Sequence, residues 1–170
     1  MFRDYDHAEK RARGIGFTID TKGLWYHHDG INPGPIRRQA LAALFGGAGS
    51  GFMAGKGLQR DAEGYWLASP DGRYRVEVED VPFVMTHMEA ADGHIDLFTN
   101  FDERVEVGAD HKLEMRLGPV GDEKVVYAQV RGDLWGRCSQ AVHYELLATH
   151  AHEIAPGQYV IRSRGADFAL

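Results

Sequence analysis

The sequence is poor in the groups that announce a reaction. Its 170 residues hold one cysteine, Cys138. No internal disulfide can form, so a stapled secreted scaffold is excluded and a reducing cytoplasm is the expected setting. No apolar run approaches the roughly 20 residues that a membrane-spanning helix requires. The opening residues, MFRDYDHAEKRARG, are charged throughout and lack the apolar core of a signal peptide. Positive charge is in deficit: 19 Lys and Arg against 25 Asp and Glu leave a net charge of −6. Without a basic stripe, duplex nucleic acid is not an expected partner, because such binding rests on neutralising phosphates. The chain has no H-E-x-x-H, no cysteine pair and no G-x-S-x-G elbow. No catalytic residue, metal ligand or cofactor is assigned on this basis.

Glycine, by contrast, is abundant at 21 residues, where an average chain carries roughly 7 per cent. That points to many tight turns rather than long helices. Half of the stretch from Gly46 to Gly57 is glycine, and it reads as a surface loop. It does not read as a phosphate loop. Ser50 stands where the first glycine of that motif belongs, Gly57 stands where Ser or Thr belongs, and a helix rather than a strand precedes it.

The remaining pattern is strand-rich. Residues 1–14 read as a polar arm or short helix. Asp20-Thr21-Lys22-Gly23 between two apolar runs signals a hairpin. Pro35 suits the first turn of a helix, with Ile36, Ala40, Leu41, Leu44 and Phe45 as its buried face. Ser69-Pro70-Asp71-Gly72 is a turn. Tyr74, Val76 and Val78 alternate with Arg73, Arg75, Glu77 and Glu79, a half-exposed strand with its charges facing solvent. A second helix is expected over about Trp135–Glu153, on the helical spacing of Cys138, Ala141, Val142, Leu146 and Thr149. Arg131-Gly132-Asp133 reads as the turn before it. Two helices and about nine strands indicate an α+β fold of antiparallel sheet, since parallel strands would want a helix between them. Helix followed by strand recurs in residues 23–67 and 134–160, a hint of internal duplication.

The nine histidines do not form a metal pattern. His27 and His28 are adjacent, so on a strand they face opposite ways. His143 and His150 stand two helical turns apart. Cys138 reads as a small buried filler. Asp80, before Val81-Pro82, is suited to fixing a sharp bend. Arg37 and Arg38 near a helix start would make an anion-friendly spot.

Taken in order, Trp25, the Pro35-Ile36-Arg37-Arg38 helix start, Gly64-Tyr65-Trp66-Leu67, Val76-Glu77-Val78-Glu79-Asp80-Val81-Pro82-Phe83, Phe98-Thr99-Asn100, Val130-Arg131, Tyr144-Glu145-Leu146 and the terminal Ser163, Gly165 and Phe168 resemble a bacterial family of unknown function, number 1285. The likeness runs from about Gly23 to Leu170. The chain departs from the family pattern at Ser69-Pro70-Asp71-Gly72-Arg73, where Thr-Pro-x-Glu-Lys is usual. It also departs at the longer glycine loop, and at Gln140, where an arginine is common. The resemblance implies two small α+β lobes, residues 1–82 and 83–170, each with one main helix. It further implies a structural duplication and a pleckstrin-homology-like second lobe. It brings no established activity.

The expectation is therefore a non-catalytic, ligand-binding or sensory protein. The resemblance suggests a link to signal transduction and a small anionic, nucleotide-like ligand held in a groove between the lobes. Trp25, Arg37, Arg38, Asp80, Phe83, Asn100 and Arg131 are the candidate contacts, the arginines for an anion and Trp25 for a planar group. The alternatives are a protein-interaction module and a metal-dependent hydrolase. A protein partner belongs with the former, and neither nucleic acid nor membrane is an expected partner.

Overall fold

Turn chemistry sets the first sheet. In the computed structural model, which describes residues 3–31, 33–37, 57–69 and 72–170, Asp20 Oδ1 accepts the N–H groups of Lys22 and Leu24, both at 2.9 Å. Gly23 then takes a φ of +80°, which a side chain would oppose. The reversal joins β1 (Ile15–Ile19) to β2 (Trp25–His27) as an antiparallel pair. A meander of β3 (Leu58–Asp61), β4 (Gly64–Ser69) and β5 (Gly72–Val78) follows. β5 returns beside β1, giving the order β2-β1-β5-β4-β3. Ile15, Phe17, Ile19, Trp25, Leu67 and Val76 are buried. Ahead of the sheet lies α1 (His7–Ala12), capped by Asp6, whose Oδ1 accepts Glu9 N–H at 3.0 Å.

The chain divides into two compact units, Met1–Pro82 and Phe83–Leu170. The second holds β6 (Phe83–Ala91), β7 (His94–Thr99), β8 (Arg104–Glu106), β9 (Leu113–Leu117), β10 (Lys124–Arg131) and β11 (Leu134–Cys138). These six form one sheet, ordered β8-β7-β6-β11-β10-β9. After them come α2 (Gln140–His150) and a three-stranded sheet of β12 (Ala151–Ala155), β13 (Gln158–Ser163) and β14 (Ala166–Ala169). The fold is α+β, strands dominating and helices few. No described helix is long and apolar enough to cross a membrane.

Three expectations are corrected. The two larger sheets are mixed rather than antiparallel, because β1 pairs parallel with β5 and β6 with β11; the β12-β13-β14 sheet is antiparallel. A parallel pair needs a long crossover, not specifically a helix, and meandering strands supply much of it here. The second helix is shorter than its periodicity suggests. Leu134–Cys138 is a strand with alternating burial, and helix begins only after Ser139, whose Oγ accepts Val142 N–H at 3.3 Å. Gly136 explains the strand, because a Cβ there would meet Met85 Sδ at 2.5 Å, so the close parallel approach of β11 to β6 needs glycine. Arg131-Gly132-Asp133 accordingly turns between two strands, β10 and β11. Lastly, Pro35, Ile36 and Arg37 have no helical structure. The rest of that expected helix, most of the glycine loop, and the Pro70-Asp71 turn lie outside the described residues.

Candidate functional site

The N-terminal unit builds its site from the arm that precedes it. Glu77 and Glu79, expected to face solvent, both meet this arm; Glu77 is half-buried and Glu79 stays exposed. Lys10 pairs with Glu77, and Arg13 Nη2 approaches the same carboxylate at 3.5 Å. Tyr5 donates its hydroxyl to Glu79 at 2.7 Å, and Arg3 pairs with Glu79 at 3.2 Å. Burial and the bond to Glu79 push the Tyr5 phenol up. The charged opening sequence and the acidic strand are therefore complementary surfaces, each legible alone but not as partners.

Where α1 ends, Arg13, Ile15, Gly64, Tyr65, Arg75, Val76, Glu77 and Val78 surround a cleft of about 300 Å³. Strand register explains its composition. Tyr65 stands opposite Val76 on β4 and β5, and Arg75 leaves the opposite face from Val76. The Arg60 guanidinium sits 5.0 Å from the Tyr65 ring centre, a cation–π distance. The cleft is thus lined by Arg13, Arg75 and Tyr65, with one carboxylate, Glu77, that Lys10 and Arg13 already engage, while the Arg75 guanidinium itself reaches towards the Trp66 ring. On the neighbouring face Arg73 lies 4.1 Å and Arg75 5.8 Å from the Trp66 ring centre. Asp61 fixes this stack by accepting Trp66 Nε1 at 3.1 Å and Arg73 Nη2 at 2.7 Å.

Beneath the arm, His28 is almost wholly buried at 2 % exposure. Its Nε2 is 2.7 Å from Thr18 Oγ1, and its Nδ1 is 2.8 Å from His7 Nδ1. His27 faces the other way and stacks on Phe17, 4.5 Å between ring centres and 10° between planes. The adjacent histidines thus face opposite sides, as strand geometry requires.

The C-terminal unit has a second cleft, of about 380 Å³, with Glu89, Asp92, His94, Asp96, Arg104, Glu106 and Arg164 among its walls. Its floor is Asp96, which accepts Arg104 Nε at 2.9 Å and also pairs with Arg164. Burial alone would raise this carboxyl, but Arg164 and Arg104 outweigh it and hold it below the usual range. Arg164 also donates to the carbonyls of Ile95 (2.8 Å) and Val107 (3.0 Å). Ser163 Oγ donates to Val107 O at 2.7 Å and accepts Ile95 N–H at 2.9 Å. Nothing in the spacing of Asp96 and Arg164 signals this meeting.

The residues singled out from sequence are distributed as follows. Trp25 is buried in the N-terminal core, edge-on to Phe17 at 6.0 Å, and its carbonyl accepts Ile36 N–H at 2.7 Å. Arg37 is exposed in irregular chain and Asp80 is half-buried in a bend. Arg38 lies outside the described residues. In the C-terminal unit, Phe83, Asn100 and Arg131 converge on the turn after β7. Phe83 is fully buried and meets the Phe101 ring edge-on at 6.4 Å. Asn100 Oδ1 accepts Val84 N–H at 3.2 Å, and Asn100 N–H donates to Val84 O at 2.8 Å. Arg131 pairs with Glu103 at 3.4 Å. Among the described residues, no group of three or more His, Cys, Asp or Glu could hold a metal ion. Arg13, Tyr65 and Arg75 are not among the contacts expected from sequence; the alternation around Val76 is the signal that bears on them.

Fold and clefts together describe a strand-rich α+β protein whose N-terminal unit lines one small cleft with Arg13, Arg75 and Tyr65. The profile described as "Protein of unknown function (DUF1285), C-terminal domain" matches residues 82–170, more than half of the chain. The chain belongs to the DUF1285 family. It is similar to the crystal structure of a DUF1285 family protein from Silicibacter pomeroyi DSS-3, at 25% identity and a TM-score of 0.74, over 92% of this chain and 79% of that one. It is also similar in fold to a DUF1285 family protein from Shewanella baltica OS155, at 22% identity and a TM-score of 0.54, over 79% of this chain and 91% of that one. Comparison with curated proteins gives no match.

Proposed function

We propose that this protein is a non-catalytic, cytoplasmic sensor that binds a small anionic ligand with a planar ring, nucleotide-like in chemistry, in the cleft at the end of α1. One observation carries the reading. In a chain of net charge −6, this cleft is lined by Arg13, Arg75 and Tyr65, and its one carboxylate, Glu77, is already paired with Lys10. Guanidinium groups suit phosphate, as forked donors of lasting charge, and a phenol ring suits a planar base. A non-catalytic role is supported by the state of Cys138 and Thr18 among the described residues. Burial pushes the Cys138 thiol up to about 12, so it is not a thiolate at neutral pH. Thr18, although beside a histidine, is fully buried.

We further infer that the two units arose by duplication. Support comes from their strand orders: in each, the last strand of a three-strand meander lies parallel to the first strand of the unit, β5 on β1 and β11 on β6. The likeness of the second unit to a pleckstrin-homology fold stays with the family resemblance.

A thermal-shift screen against nucleoside mono- and diphosphates tests the binding reading. A nucleotide should raise the melting temperature of the wild type and lose that effect with Arg75→Ala. Absence of any shift across the set, or an equal shift in the variant, would reject it.

A further inference from the structure

The contacts of His7 and His28 fix where the protons sit. Pro33 O, 3.2 Å from His7 Nε2, can only accept, so His7 carries its proton on Nε2. In a neutral ring that makes His7 Nδ1 an acceptor. The 2.8 Å contact with His28 Nδ1 then requires the proton on His28 Nδ1. His28 Nε2 is left as an acceptor, so Thr18 donates its hydroxyl across 2.7 Å. With both rings neutral, the bonds run one way: Thr18 to His28 to His7 to Pro33.

We propose that this relay is a proton-operated latch that holds the N-terminal arm, residues 3–12, against the first sheet. A proton added to His28 lands on Nε2, and a proton added to His7 lands on Nδ1 and forces His28 to the other tautomer. In either case His28 Nε2 becomes a donor to Thr18. Thr18 is at 0 % exposure, so its hydroxyl hydrogen must then leave its partner inside the core.

The surroundings oppose the added charge. From α1, Lys10 acts on the ring, and Arg11 Nη1 donates to the backbone carbonyl of His28 at 3.0 Å. From the arm, the Tyr5 ring lies 5.8 Å away. β1 contributes Thr18, the neighbouring position contributes His27, and β5 contributes Glu77, the one carboxylate of the set, which Lys10 and Arg13 already engage. Burial first, then His7 and Lys10, push His28 down to about 4. The folded value lies below the unfolded value near 6.5, so the latch is fully closed above pH 6.5 and loosens as pH falls towards 4.

The latch stands independently of any ligand. Hydrogen exchange on the full chain, corrected for intrinsic rates, tests it. Below pH 6.5, protection of amides in residues 3–12 should fall by up to about tenfold per pH unit, the limit for one proton, while β1 and β5 keep theirs. In His28→Phe, arm protection should no longer depend on pH over this range. Flat protection in the wild type, or loosening that persists in His28→Phe, overturns the proposal. Ring nitrogen shifts at pH 7.5 give a readout that needs no variant. They should report protons on His7 Nε2 and His28 Nδ1, and a proton on His28 Nε2 instead would overturn the relay.

Discussion

Arg164 Nη2 and Asp96 Oδ1 join positions 68 residues apart, tying the turn between β13 and β14 to the middle of β7. Asp96 keeps 8 % of its side chain exposed, whereas its other partner, Arg104, is half open to solvent. Removing the carboxylate charge would leave Arg164 half-buried with no counter-ion. Losing one member of a buried pair costs 3–5 kcal/mol, and the solvent beside Arg104 screens part of that. Asp96→Asn should therefore lower stability by about 2–3 kcal/mol in urea unfolding. A loss no larger than that of an exposed pair would mean that the carbonyls of Ile95 and Val107 alone hold Arg164.

The two units should respond to acid in different ranges. His28, lowered in the folded state, contributes stability that is complete above pH 6.5 and is lost as pH falls towards 4. A shift of this size corresponds to up to about 3 kcal/mol. Asp96 is also lowered, but from a carboxylate value, so its contribution is lost only below about pH 4. Residue-resolved exchange as a function of pH should find the N-terminal arm, residues 3–12, weakening before the C-terminal unit. The reverse order would contradict both assignments.

Gly136→Ala places a methyl group where Met85 Sδ lies 2.5 Å and Phe83 Cβ 3.3 Å away. The thioether can move and the Phe83 Cβ much less. Overpacking of this kind costs roughly 1–3 kcal/mol, which chemical denaturation would register. An unchanged midpoint would mean that β11 and β6 are less tightly apposed than their register implies.

Cys138 is 1 % exposed with its thiol pushed up to about 12. At pH 8 a disulfide reagent should label it only as fast as the C-terminal unit opens. Labelling at the rate of a free thiol would remove one support for a non-catalytic reading.

Local signals in the sequence were reliable. The Asp20–Gly23 hairpin and the opposed faces of His27 and His28 each follow from a few neighbouring residues, whereas the alternation through Val76 holds only in part, since Tyr74 is exposed and Val78 half-buried. The strand Leu134–Cys138 was masked, because Cys138, Val142 and Leu146 happen to keep helical spacing while the packing of Gly136 decides the matter. Parallel pairing of β5 with β1 depends on residues about sixty positions apart, as does the meeting of Glu77 with Lys10. Of the candidate site, the residue types were expected and the location was not. Arginine and an aromatic ring were expected, yet Trp25 and Phe83 lie in cores, and Arg13, Tyr65 and Arg75 line the cleft.

Binding in that cleft is most directly tested by titration calorimetry at pH 7.5, with the nucleotide that shifts the melting temperature most, on wild type and on Arg75→Ala. Loss of one charged contact should weaken binding about tenfold or more, with folding unchanged by circular dichroism. Equal affinity in the two proteins, or no heat of binding in the wild type, would contradict the account.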